Sequence, residues 1–204
     1  KPDRRQRQMC IRDRLKNTAV ISFLTAVAFL IIAFFSPILS GIADYIGNKK
    51  KFMKIFVYLG SLSCIGLYWF ELETIYLGLF FYFFAMIGLW SSLVFYNSYL
   101  PDIAYPEQQD RASARGFSYG YVGSVILLLA NLAMIMQPNL FGIEGNKIDA
   151  SIQAMKFSFV SVGIWWALFS QYSFYYLPKS NHKSKITKDI LLNGYRNLDL
   201  FLFN

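Results

Sequence analysis

Chemistry-bearing residues are scarce in this chain. Its two cysteines, Cys10 and Cys64, stand far apart with no metal or redox spacing. The single histidine, His182, lies in a basic stretch, where a solvated side chain is the ordinary reading. No cluster of His, Asp, Glu, Ser or Cys marks a hydrolytic or metal-assisted site. The expectation is therefore no enzyme, no catalytic residue, no metal and no cofactor. Charge is also sparse and clustered, at 16% of residues, whereas a soluble domain spreads roughly 25% over its surface.

What is present is apolar and aromatic. Hydrophobic residues make up 55% of the chain, with 20 Phe, 14 Tyr and 4 Trp. They fall into five blocks, about Thr18–Ile42, Phe52–Phe70, Thr74–Leu100, Gly116–Met136 and Phe157–Leu177. Each is long enough to cross about 30 Å of hydrocarbon as a helix of about 20 residues. Lipid offers no hydrogen bonds, so each span must satisfy its own backbone, and a helix does so. Continuous apolar runs argue against a β-barrel, whose strands alternate. The fold class is all-α: a polytopic helical membrane protein whose first partner is the lipid bilayer.

The connections divide by charge. Lys49, Lys50, Lys51 and Lys54 follow the first block, Arg111 and Arg115 precede the fourth, and Lys179, Lys183, Lys185, Lys188 and Arg196 follow the fifth. The other two connections carry Glu71 and Glu73, or balance Lys147 and Lys156 against Glu144 and Asp149. Positive charge stays cytoplasmic, which places the hinge at residues 44–51 in the cytoplasm. The basic segment Lys1 to Lys16 contradicts that assignment, because it falls on the outer side. A basic arm on anionic lipid is one explanation. The other is that Asp3 to Arg14 resembles translated sequencing-adapter read-through, so residues 1–14 are expected to be non-native or disordered. Much of the formal +8 charge is then foreign and implies no nucleic-acid partner.

The hinge Ser40-Gly41-Ile42-Ala43-Asp44-Tyr45-Ile46-Gly47-Asn48-Lys49-Lys50-Lys51 is the most specific string. Gly41 and Gly47 suit a tight turn, Asp44 can face a helix N-terminus, and the lysines suit a cytoplasmic surface. A purely topogenic loop is the plain alternative. Ala43-Asp44-x-x-Gly47-x-Lys49-Lys50 resembles the cytoplasmic loop motif of the major facilitator superfamily, with Ser40, Tyr45 and Asn48 departing from it. Ser36-Pro37-Ile38-Leu39, Tyr96 to Ala104, Ser113 to Ser124 and Val162 to Trp166 extend a resemblance to the vacuole-effluxer-like, unknown-major-facilitator branch.

The resemblance implies a secondary transporter of a small-molecule substrate, with amino-acid efflux as the family analogy, in a bacterial inner membrane. In that family the hinge joins helices two and three. It implies a six-helix N-terminal bundle lacking its first helix over residues 15–178, a cytoplasmic linker and possible helix start over 179–204, and a missing C-terminal half as partner. Asp44, Gly47, Lys49 and Lys50 become a cytoplasmic gate motif. A non-transporting membrane scaffold and a membrane-embedded enzyme are the alternatives.

Three groups within the spans draw attention. Tyr96, Asn97 and Tyr99 end the aromatic third block, which the resemblance makes cavity-lining. They are candidates for the substrate pathway or for an ordinary membrane interface. Asn131, inside hydrocarbon, is either a pathway residue or a structural hydrogen-bonding group. Gly116, Gly120 and Gly123 place small residues on one helix face and allow close helix packing. The mixed charges of Asp102 to Arg115, including Glu107 and Asp110, form either an inter-helix latch with the hinge or a solvated turn.

Overall fold

The computed structural model describes residues 19–39, 49–71 and 73–178. All regular structure in this set is helical: α1 Ala19–Leu39, α2 Lys49–Gly66, α3 Ile75–Ser98, the short α4 Leu100–Ile103, α5 Pro106–Met136 and α6 Lys147–Tyr176. Five of them, α2 with its terminal turn included, are long and apolar enough to span a membrane. The segments 1–14, 40–48 and 179–204, with Asp44 and Gly47 in the second, lie outside the described residues.

Local chemistry sets the helix ends. The α2–α3 connection is closed by a 3-10 turn, Leu67–Trp69, and by Thr74, whose hydroxyl donates to the Trp69 carbonyl at 2.6 Å. Pro101 has no amide hydrogen to continue the α3 ladder, and the chain tightens at Tyr99 before α4. Tyr105 is extended, as a residue before proline should be, and Pro106 opens α5 with Glu107 in its first turn. Pro138 begins a second 3-10 turn, and Gly142, at φ 73°, ends it in the left-handed region.

The helices outrun the apolar blocks. Helix α5 begins ten residues before Gly116, and α6 ten residues before Phe157. The 31 residues of α5 extend about 46 Å at about 1.5 Å each, well beyond about 30 Å of hydrocarbon. A helix satisfies its backbone in water as well as in lipid, so charge alone does not end it. The lysines behave likewise: Lys49, Lys50, Lys51 and Lys54 are the opening turns of α2, not a preceding loop.

Helix α2 is the centre of the packing, with α3 on one side and α6 on another; α5 packs on α6. Helix α1 meets α3 through a 2.8 Å hydroxyl contact between Thr25 and Tyr82 and through the Phe29–Trp90 ring pair. Backbone proximity is what makes α2 central. A Cβ added at Gly88 of α3 would lie 2.5 Å from the Gly60 Cα, and one at Gly163 of α6 would lie 2.6 Å from the Ser61 carbonyl oxygen. Consecutive residues of α2 are thus approached by glycines of two different helices. Trp166 of α6 fills the space over Gly60. Such small-residue contacts drive helix association where the hydrophobic effect between spans is absent. By contrast, no residue of α5 is buried.

Candidate functional site

The N-terminus of α2 carries three consecutive lysines, an unfavourable placement for the positive end of a helix dipole. The fold compensates by bringing two helix C-termini beside it. Lys49 Nζ donates to the carbonyl of Ser98, the last residue of α3, at 3.2 Å. It also pairs with Asp102 Oδ2 in α4 at 3.1 Å. Lys50 Nζ donates to the carbonyl of Leu177, the C-cap of α6, at 2.9 Å. Terminal carbonyls have no partner within their own helix, and basic side chains are suited to supply one. The first two lysines of α2 therefore clamp the ends of α3 and α6. Lys54, one turn on, lies 5.2 Å from the centroid of the Phe174 ring of α6, a cation–π contact.

Beneath the clamp sits the main apolar cluster: Met53, Val57, Phe95, Tyr99 and Phe174, flanked by Leu39, Phe52, Phe56, Trp166 and Leu177. Phe95 is 0% exposed and stacks with both Phe52 and Phe56. The Lys49 side chain is 14% exposed and that of Asp102 45%, so one end of the pair is sheltered and the other wet. Tyr99 is 2% exposed, yet its hydroxyl has no hydrogen-bond partner among the described residues. Trp90 Nε1 is the other buried side-chain polar atom in that position.

At the far end of the bundle, Lys156 of α6 pairs with Glu71 in the α2–α3 connection. Beside this pair lies an open cleft of about 270 Å³ lined by Tyr68, Asp149, Ile152, Gln153 and Lys156. Its volume falls just below the roughly 300–1,000 Å³ of ordinary ligand pockets. Among the described residues no three His, Cys, Asp or Glu side chains gather in a metal-binding arrangement.

The sequence candidates are dispersed. Of the gate motif, Lys49 and Lys50 form the clamp, while Asp44 and Gly47 lie outside the described residues. Asp102, the first residue of the suspected latch segment, is the one that meets the hinge lysine. Tyr96 and Asn97 are exposed at the end of α3. The Tyr96 hydroxyl touches the position a Cβ would take on Gly116. Asn131 accepts a 2.8 Å hydrogen bond from the Ser161 hydroxyl, tying α5 to α6. It lies 15 residues from Gly116, about 22 Å along the helix, so Tyr96 and Asn131 do not share one pocket. Among the described residues nothing approaches Gly120, and Gly123 has only Trp165, at 4.0 Å.

Sequence reasoning missed Gly60, Ser61, Gly88 and Gly163, the close contacts that organise the bundle. Their signal was available: Gly60-Ser61-Leu62-Ser63 is a small-residue group inside an apolar span. Tyr99 reads from sequence as a partner of Asn97 in contacting solute; the structure buries it in the apolar cluster.

Length, composition and packing define an integral membrane protein of the polytopic helical class. The chain belongs to the family described as vacuole effluxer Atg22 like, which matches residues 10–202. It is 33% identical over 190 residues to a Bacillus subtilis (strain 168) protein named "Uncharacterized MFS-type transporter YxiO", covering 90% of this chain and 42% of that protein. It is 34% identical over 127 residues to an uncharacterized protein of Aquifex aeolicus (strain VF5), covering 61% of this chain and 30% of that one. The chain thus spans less than half the length of these relatives. No solved structure gives a significant match.

Proposed function

We propose that this chain is part of a secondary transporter that moves a small solute across a bacterial inner membrane by alternating access. Two helical bundles would rock about a central site, opening it to each side in turn. The lysine end of α2 would face the cytoplasm, in keeping with the positive charge gathered there. In this reading Lys49 and Lys50 belong to the cytoplasmic gate with Asp44 and Gly47, and Asp44 favours the outward-open state by meeting a helix N-terminus of the other bundle. Tyr96, Asn97 and Asn131 are the pathway candidates. The Ser161 contact gives Asn131 a structural task as well. An amino acid is the proposed solute class, by analogy with the transporter branch that the sequence resembles.

The observation that carries the reading is the inter-helix use of the motif lysines. A topogenic loop needs only charge, whereas Lys49 and Lys50 each reach the end of a different helix. The test is flux. The complete protein in sealed proteoliposomes, loaded with unlabelled amino acids, should take up labelled amino acids in saturable counterflow. Well-folded, monodisperse protein that exchanges no more than empty liposomes would instead favour a scaffold.

A further inference from the structure

Tyr99 poses a question that gating by the lysines leaves unanswered. A buried hydroxyl without a partner is costly, more so in a low-dielectric surrounding. Replacing it with phenylalanine would keep the ring packing and remove the cost. The ring sits in the cluster with Met53, which lies one helical turn after Lys49 on the same face of α2. The Tyr99 carbonyl accepts the Asp102 amide at 2.9 Å and the Ile103 amide at 3.1 Å. The phenol is therefore anchored in the same short segment as the Asp102 carboxylate and packs against the helix that carries Lys49. The carboxylate has capacity for several hydrogen bonds. Lys49 holds one of its oxygens.

We propose that Tyr99 is the exchange partner of the clamp. When Lys49 separates from Asp102, the Tyr99 hydroxyl donates to the Asp102 carboxylate in its place. The hydroxyl is orphaned with the clamp closed and bonded with the clamp open, so it offsets part of the cost of opening. Tyr99 acts through Asp102 and touches no solute, which makes it a positioning residue for the gate. The proposal rests on the gating role given to the Lys49 end of α2.

The test uses the complete protein in liposomes, in a cysteine-free background carrying Met53→Cys as reporter. Met53 is 3% exposed beneath the clamp. An impermeant maleimide on the clamp side reaches it only through opening. Tyr99→Phe should slow labelling about tenfold, the factor that ~1.4 kcal/mol of relieved hydroxyl burial and lost open-state bonding to Asp102 together produce. In an Asp102→Ala background the same substitution should slow labelling clearly less, about threefold, because the carboxylate acceptor is gone and only the relieved burial remains. Three results would overturn the proposal. They are an unchanged rate in Tyr99→Phe, a faster rate (as for a hydroxyl already satisfied by resident water), or an equal slowing with and without Asp102. The coupling is read without any flux measurement. Coupling with no counterflow would support the exchange and count against the transporter alone. Counterflow without coupling would sink the exchange and leave the transporter standing.

Discussion

Glycine contacts around α2 make a graded prediction about packing. An alanine at Gly88 puts a methyl group 2.5 Å from the Gly60 Cα and 2.8 Å from the Phe56 carbonyl oxygen. Both neighbours are backbone, so relief requires α2 and α3 to move apart. Overpacking of this kind costs typically about 1–3 kcal/mol. Helix propensity works the other way, since alanine is favoured over glycine by about 1 kcal/mol. Gly163→Ala meets the Ser61 carbonyl at 2.6 Å and should behave like Gly88→Ala. At Gly116 the obstacle is the free end of the Tyr96 side chain, which can swing away. Gly116→Ala should therefore be neutral or slightly stabilising, by up to about 1 kcal/mol. The assay is thermal unfolding of the complete protein in detergent micelles, with the three variants compared to the parent. The expected order is a clear loss for Gly88→Ala and Gly163→Ala and none for Gly116→Ala. Equal midpoints for Gly88→Ala and Gly116→Ala would refute backbone contact as the organising feature.

Other expectations follow from the polar contacts. A double-mutant cycle of Lys49→Met with Asp102→Asn should give a coupling of about 0.5–1 kcal/mol, because one end of the pair is exposed, and it should shrink with added salt. Unfolding midpoints at low and high ionic strength measure it. Ser161→Ala should destabilise by about 0.6 kcal/mol, the usual size of an interhelical hydrogen bond in a membrane, with no further loss when combined with Asn131→Leu. Glu71→Gln removes the acceptor charge facing Lys156 at an exposed site and should cost less than about 1 kcal/mol. Its readout is hydrogen exchange in the α2–α3 connection.

Much of the architecture was legible because lipid narrows the choices. An apolar run of about 20 residues has few folded options, so five such runs announced five spanning helices. The hinge and its accompanying strings led to the family that matches residues 10–202. Helix ends were less legible. Apolar length reports hydrocarbon, while a helix continues wherever its backbone ladder does, as α5 does from Pro106 and α6 from Lys147. The packing centre was hardest to read. Gly116, Gly120 and Gly123 form a regular stripe, yet the closest backbone approaches use glycines outside it, Gly88 and Gly163. Helix periodicity orders residues along one helix, but which faces meet depends on the partner. For the same reason the lysines were legible as a charge signal but not as caps for α3 and α6.

The proposed gate depends first on which side of the membrane the clamp faces. Single cysteines at Lys51 and at Glu73, both exposed and at opposite ends of the bundle, decide this when placed in a cysteine-free form of the complete protein. An impermeant thiol reagent should label Lys51→Cys only in inverted vesicles and Glu73→Cys only in intact spheroplasts. The reverse pattern would put the clamp on the outer face and contradict its role as the cytoplasmic gate.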